Sequence, residues 1–151
     1  MSTQIEITQN IVNYLSKNGY RSDPIIDELV KETNELGSVA QMQIAPEQGQ
    51  FLEMIVRLIG ANNCLEIGRF TGLSALCIAK GLAAGGKVMT IDNSIEFLAV
   101  AEKYWKKKGV ENKIESVIGE GVEVLQSLLD RQKNFDLIFP AIVVTTPILF
   151  R

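Results

Sequence analysis

Glu66 and Asp92 are two carboxylates that the surrounding patterns place at the ends of neighbouring strands, and a glycine-hinged turn lies between them in sequence. In Cys64-Leu-Glu-Ile-Gly-Arg-Phe-Thr-Gly-Leu-Ser-Ala-Leu76, the residues Cys64, Leu65 and Ile67 read as a short buried strand. Gly68 and Gly72 bracket a turn, and Leu73, Leu76 and Cys77 then recur at helical spacing. Glycines let such a turn adopt positive φ and approach a bound molecule closely, while the helix that follows offers unpaired N–H groups and the positive end of its dipole. Open parallel sheets bind ligands at the carboxyl ends of their strands, which is where Glu66 falls. A carboxylate there attracts a cation or a ribose hydroxyl and repels a phosphate. A dinucleotide fingerprint uses Gly-x-Gly-x-x-Gly to seat pyrophosphate on the helix N-terminus. The spacing here is Glu-x-Gly-x-x-x-Gly, which favours a ligand carrying positive charge, although a tight turn in any α/β protein would show the same glycines.

Asp92 closes the strand Lys87-Val-Met-Thr-Ile91 and lies 20 residues after Gly72. That is the distance and place of a carboxylate that binds both ribose hydroxyls of a nucleoside. It is equally placed to cap the next helix, a task for which Ser94 competes. A second glycine turn, Gly119-Glu120-Gly121, follows the third strand and lies over the same edge of the sheet. Its backbone N–H groups can meet an adenine edge, or the turn can serve as an ordinary strand-to-helix connection.

The elements that must position these groups follow in order. Ile7, Ile11, Val12 and Leu15 predict an amphipathic lid or docking helix over residues 5–15, stopped at Gly19. Asp23-Pro24 opens a second helix with Ile25, Ile26, Leu29 and Val30 inward, running to Leu36-Gly37, so that the two form an α-hairpin ahead of the sheet. Pro46 and Glu47 start a third helix with Phe51, Leu52, Ile55, Val56 and Ile59 inward. After the first strand, a helix to Leu82 leads to the second strand, then a helix over 95–108, a third strand over 113–118, a helix from Gly121, and a fourth strand Phe135-Asp-Leu-Ile-Phe139. Strand and helix alternate from Cys64 onward, which predicts a Rossmann-like parallel α/β sheet with right-handed crossovers and strand order 3-2-1-4, preceded by N-terminal helices. The chain divides into N-terminal helices over 1–60, an α/β core over 61–139 and a divergent tail over 140–151, all within one domain.

With 151 residues and 46% hydrophobic content, the chain has the material for one real core. Its net charge of −3, with no basic stripe interleaved with aromatics, argues against nucleic acid as a partner. Lys106-Lys107-Lys108 reads as a solvated helix face. No apolar run reaches membrane-spanning length and the N-terminus lacks a signal-peptide layout, so no membrane association and a cytoplasmic location are expected. Cys64 and Cys77 both fall inside apolar patterns and read as buried thiols. The chain has no histidine, which removes His-based triads, His zinc sites and an imidazole base.

Four segments together resemble the caffeoyl-CoA O-methyltransferase-like, catechol O-methyltransferase-related class of S-adenosylmethionine-dependent enzymes: residues 42–52, residues 65–76, Ala101-Glu-Lys-Tyr-Trp-Lys106 and Phe135-Asp-Leu-Ile-Phe139. The resemblance runs from Thr8 to Phe139. It implies that Glu66, Gly68 and the turn from Gly72 to Ser74 cradle the methionine part of S-adenosylmethionine, that Asp92 holds the ribose, that Gly121 meets the adenine through its backbone, and that Met42 lines the cofactor mouth. The implied chemistry is methyl transfer from a sulfonium to a catechol-type hydroxyl, with a divalent cation, Mg²⁺, lowering the hydroxyl's pKa and aligning it. Two features depart from the family. Arg69 sets a bulky cation beside the turn where a small polar residue is more usual, which weakens binding of a positive ligand unless the side chain swings out to solvent. After Phe139 the acidic metal-binding segment of the family is replaced by Pro140-Ala-Ile-Val-Val-Thr-Thr-Pro-Ile-Leu-Phe-Arg151, so no metal ligand is assigned. The expectation is a truncated or frame-shifted member with impaired catalysis, whose fourth strand is an open edge and which pairs as a homodimer. The alternative is a module that retains the nucleoside without turnover or serves only in dimerisation.

Overall fold

β1 (Asn63–Ile67) is the strand around which the sheet assembles, because Cys64, Leu65 and Glu66 are all buried and each of its edges carries a parallel neighbour. A computed structural model describes residues 6–141 of the chain. β1 pairs with β2 (Lys87–Asp92) on one side and with β4 (Leu137–Pro140) on the other, and β2 pairs with β3 (Ile114–Ile118). The order is β3-β2-β1-β4, as the alternation of strand and helix predicts.

The register places Glu66, Thr90 and Ser116 side by side across β1, β2 and β3. They share a face with Cys64 and Val88, two residues earlier on their strands, since side chains alternate along a strand. Cys64 and Val88 belong to the larger core, with α2 (Pro24–Asn34), α3 (Pro46–Ile59), α4 (Leu73–Gly81) and α5 (Leu98–Lys108) packed over it. The opposite face, with Leu65, Ile91 and Val117, is covered by α6 (Gly121–Asp130) through Val124, Leu125 and Leu128. Every residue of α4 except Lys80 is buried. This helix therefore has no solvent face, and it sits close against α3, where a Cβ added at Gly81 would lie 2.7 Å from the Glu53 carbonyl oxygen.

Several elements depart from expectation. α1 (Gln9–Asn18) starts at Thr8, whose hydroxyl accepts from the Ile11 N–H at 3.4 Å, and the expected first residue of the helix, Ile5, lies outside the described residues. α1 buries none of its side chains, so the expected α-hairpin is not closed, whereas α2 packs Ile26, Leu29 and Thr33 inward. α5 begins at Leu98 rather than Ile95, because Ser94 accepts from the Glu96 N–H in a local turn. Lys106 and Lys107 are exposed, as a solvated face requires, yet Lys107 pairs with Glu28 and the half-buried Lys108 with Asp23, clamping α5 to α2 alongside the pair Lys103–Glu32. Pro140 closes β4 opposite Ile67, and the Ala141 N–H donates to the Ile67 carbonyl at 2.7 Å. Successive amides point to alternate sides of a strand, so the Pro140 nitrogen faces away from β1 and no ladder bond is lost there. Among the described residues β4 is an edge. The tail beyond Ala141 lies outside the described residues. Both cysteines are free and buried, and burial raises the Cys64 thiol to about 11 and the Cys77 thiol to about 12.

Candidate functional site

The β1–α4 turn is held by its neighbours at every step. Gly68 has φ +94° and its N–H donates to the Ile91 carbonyl at 2.8 Å, joining the turn to the end of β2. Phe70 has φ +49°, a left-handed conformation that is strained for a bulky residue. Two contacts hold it there: the Asp92 carboxylate accepts from the Phe70 N–H at 3.0 Å, and the Phe70 ring stands edge-on to Phe97 with centroids 4.8 Å apart. Strained non-glycine residues concentrate at ligand sites.

Asp92 is accordingly occupied. One oxygen accepts from the Arg69 and Phe70 amides at 2.8 and 3.0 Å, and the other accepts from the Ser94 N–H at 2.8 Å. It therefore organises the turn and the start of the β2–α5 connection. A carboxylate has about four acceptor positions, so capacity for a further donor remains.

Glu66 is fully buried. Oε2 accepts from the Thr90 hydroxyl at 2.5 Å, and Oε1 has no hydrogen-bond partner. Burial pushes its carboxyl up to about 7, against the pull of the Ser74 and Thr90 hydroxyls and of Arg69. Burial thus disfavours the negative charge expected at the turn.

Arg69 supplies the opposite charge. Its side chain does not swing out to solvent: the residue is 2% exposed. The guanidinium reaches across the carboxyl ends of β2 and β3, where Nη1 donates to the Ser116 hydroxyl at 3.0 Å and Nη2 donates to the Ser94 carbonyl at 2.6 Å, while Nε has no partner. Burial lowers its hold on the proton, and Asp92, Glu66 and Glu102 oppose that. A buried Arg lacking a direct carboxylate pair is costly to retain, and a buried Nε without a partner adds to the cost.

Met42, Gly68 and Ser74 come together as expected, lining one crevice with Arg69, Phe70 and Ala141. Its free volume is about 10 Å³, roughly that of one water molecule. Glu66, expected beside them, is fully buried and is not among the residues that line the crevice. Gly121, at the first position of α6, stands over the end of β1, where an added Cβ would meet Ile67 at 3.5 Å. Gly72 is turned towards α5: its carbonyl accepts from the Trp105 indole N–H at 3.0 Å, and an added Cβ would lie 2.7 Å from Ala101 Cβ.

Thr71 carries a role the sequence did not disclose. Its hydroxyl accepts from Thr33 at 3.0 Å, and the Gln43 amide donates to both threonines, at 2.8 Å to Thr33 and 3.2 Å to Thr71. This buried knot fastens the Met42–Ile44 wall to the turn and to α2. Replacing Thr71 by valine strands two polar partners in a buried place, and urea unfolding should show a loss of about 1–3 kcal/mol. A change below measurement error would mean that water or an alternative rotamer satisfies them.

A larger cleft of about 340 Å³ lies between α2, α3 and the ends of α4 and α5, lined by Asp23, Glu53, Lys80 and Lys108 among others. Those charges already neutralise one another: Asp23 bridges Lys80 at 3.0 Å and Lys108 at 2.5 Å, and Lys80 also meets Glu53 at 3.0 Å. Against the effect of burial, the two lysines hold the Asp23 carboxyl down at about 2. The cleft is thus bounded by an ion-pair network that ties the helices together.

The family model described as O-methyltransferase matches residues 16–142, more than four-fifths of the chain. The chain belongs to the O-methyltransferase family. Among relatives, this O-methyltransferase-family chain is 35% identical over 109 residues to the caffeoyl-CoA O-methyltransferase of Populus kitakamiensis, covering 71% of this chain and 46% of that protein. It is 28% identical over 138 residues to the catechol O-methyltransferase of Niastella koreensis, covering 89% and 61%. Among solved structures, the Bacillus cereus O-methyltransferase in complex with SAH superposes with a TM-score of 0.74 at 28% identity, covering 87% of this chain and 60% of that one. The chain thus spans about half to three-fifths of the length of these relatives. Among the described residues, no three acidic, cysteine or histidine side chains come together in a group that could hold a metal ion, so the divalent cation implied by the resemblance enters no step below. No helix among the described residues is long and apolar enough to cross a membrane.

Proposed function

We propose that the β1–α4 turn and the ends of β1 and β2 form an S-adenosylmethionine site, and that the protein takes part in methyl transfer to a catechol-type or other small hydroxylated acceptor. The observation that carries this reading is the turn itself: a strained Phe70, pinned by Asp92 from the neighbouring strand, inside the match to the O-methyltransferase family. In the transfer, the sulfonium loses its methyl group to the acceptor oxygen and becomes a thioether, and the hydroxyl proton leaves to a base. Within this chain, Gly68 and Ser74 face the methionine part, Asp92 offers its spare acceptor capacity to the ribose, Gly121 lies where an adenine edge would come, and Met42 bounds the entrance.

Binding requires the one-water crevice to open, so a ligand-dependent stabilisation is the first quantity to measure. Addition of S-adenosylhomocysteine at about a hundred times its dissociation constant should stabilise the fold by about 2.7 kcal/mol, read as a rise in melting temperature. Asp92→Asn keeps an oxygen for the turn amides but gives up the charge, and calorimetry should show affinity for this nucleoside falling by about tenfold or more, the worth of a charge-assisted bond. Unchanged affinity in that variant would remove Asp92 from the site.

A second reading, a module that holds the nucleoside without turnover, is favoured by the crevice itself, which Arg69 lines while no group of acidic side chains among the described residues could hold a metal ion. Methyl transfer to a catechol in the presence of Mg²⁺ separates the two readings. Transfer supports the enzyme, and nucleoside binding without transfer supports the module.

A further inference from the structure

In the reading above, the methionine part lies against Gly68 and Ser74 and the ribose against Asp92, so the sulfur between them passes over the stretch of turn that contains Arg69. That stretch carries a buried guanidinium. Arg69 lines the same crevice, is 2% exposed and is anchored at both ends of its fork, to Ser116 at 3.0 Å and to the Ser94 carbonyl at 2.6 Å. Resting on the nucleoside reading, we propose that Arg69 is a specificity-determining residue that makes this site prefer the neutral thioether S-adenosylhomocysteine over the cationic sulfonium S-adenosylmethionine.

The two ligands differ by one methyl group and one positive charge. A fixed, buried cation acts on that charge with less screening than an exposed one, and it leaves the thioether untouched. The carboxylates nearest Arg69 offset its charge only in part, since neither bonds the guanidinium directly. Asp92 turns its two oxygens to the Arg69, Phe70 and Ser94 amides instead. Glu66 is fully buried with Oε2 on Thr90, and burial disfavours its charged form. The unpartnered Nε of Arg69 and the unpartnered Oε1 of Glu66 mark the same region as one whose polar groups are not matched to each other. Arg69 does not lose its fork bonds at a small cost, so it stays in place when a ligand enters instead of yielding its position to the sulfonium.

The test is calorimetric titration of the full chain with each nucleoside separately, in the wild type and in Arg69→Gln, Arg69→Ser and Arg69→Lys. The wild type should bind S-adenosylhomocysteine about tenfold or more tighter than S-adenosylmethionine, the scale of one charge–charge contact in a partly buried site. Arg69→Gln and Arg69→Ser should bring that ratio towards one, chiefly by tightening the sulfonium, while Arg69→Lys, which keeps the charge, should preserve it. Melting curves of each variant establish that the fold is intact. A ratio that is the same in wild type, Gln and Ser variants overturns the role of Arg69 while leaving the nucleoside site standing. Heat from neither ligand in the wild type and in any folded variant overturns the site and this inference together.

Discussion

Gly72→Ala should lower the unfolding free energy by about 2–5 kcal/mol, and the melting temperature by roughly 10 °C for a chain of this size. Two independent costs combine. Gly72 has φ +82°, where a residue with a Cβ carries about 1–2 kcal/mol of steric penalty. The new Cβ would also lie 2.7 Å from Ala101 Cβ and 2.8 Å from Trp105 Nε1, both buried on α5, so helix and turn must part by several tenths of an ångström. Overpacking of that kind costs about 1–3 kcal/mol, and here it also threatens the indole bond to the Gly72 carbonyl. Gly85 supplies the control: its φ is +86°, but an added Cβ would meet nothing within 4 Å. Gly85→Ala therefore reads the backbone cost alone, and the difference between the two variants in thermal unfolding reads the packing. Equal losses would show that the α5 contact yields freely, and the tight turn would then be a matter of φ only.

That result bears on what the sequence could disclose. Hydrophobic period reports which face of an element can be buried, and it located β1, the turn and the strand order, whereas Phe51 and Ile59 of α3, expected inward, are exposed. It carries no information about which element lies opposite. The glycines of the turn were expected to make room for a ligand, yet Gly72 makes room for Trp105, 33 residues away in sequence. The lysines at the end of α5 look like a solvated face because nothing local pairs with them, and their partners Glu28 and Asp23 sit on another helix. Arg69 is the sharpest instance. Its side chain can reach solvent from almost any turn, and the acceptors that hold its fork inside, Ser116 brought beside Thr90 by the register and the Ser94 carbonyl, lie on other elements. Thr33, Gln43 and Thr71 form their knot from three separate elements, and no spacing within any one of them signals it. The apolar face of α1 was legible as amphipathic and still buries nothing, since amphipathic pattern states what a helix can cover and not whether a surface is there.

Glu66→Gln should stabilise the ligand-free chain at pH 8 by about 3 kcal/mol and abolish most of its pH dependence between pH 5 and 8. The sign follows from the direction of the shift. The carboxyl is held at about 7 in the folded chain against an ordinary value of 4.5, because burial disfavours the anion. The folded state therefore keeps a proton that the unfolded chain has released. The stability this gives is fully present below pH 4.5 and is lost progressively as the pH rises through 7, and the total, 2.5 units at 1.36 kcal/mol each, is about 3 kcal/mol. Other shifted carboxylates act at lower pH and with the opposite sign: Asp23 is at about 2, Glu32 is held down by Lys103, and Asp136 by the Asn63 and Asn62 amides. With no histidine in the chain, the window from pH 5 to 8 is left to Glu66. Urea unfolding across that window should show wild-type stability falling with pH while the Gln variant stays level. A flat wild-type profile would mean that Glu66 stays ionised in the fold, with a partner or a water on Oε1. The prediction also connects stability to the site, because a cationic ligand group that reached Oε1 would lower the carboxyl's pKa. Saturating S-adenosylmethionine should then flatten the wild-type profile as the Gln substitution does, and S-adenosylhomocysteine, whose α-ammonium is the same, should flatten it equally if that ammonium is the group bound and less if the sulfonium is.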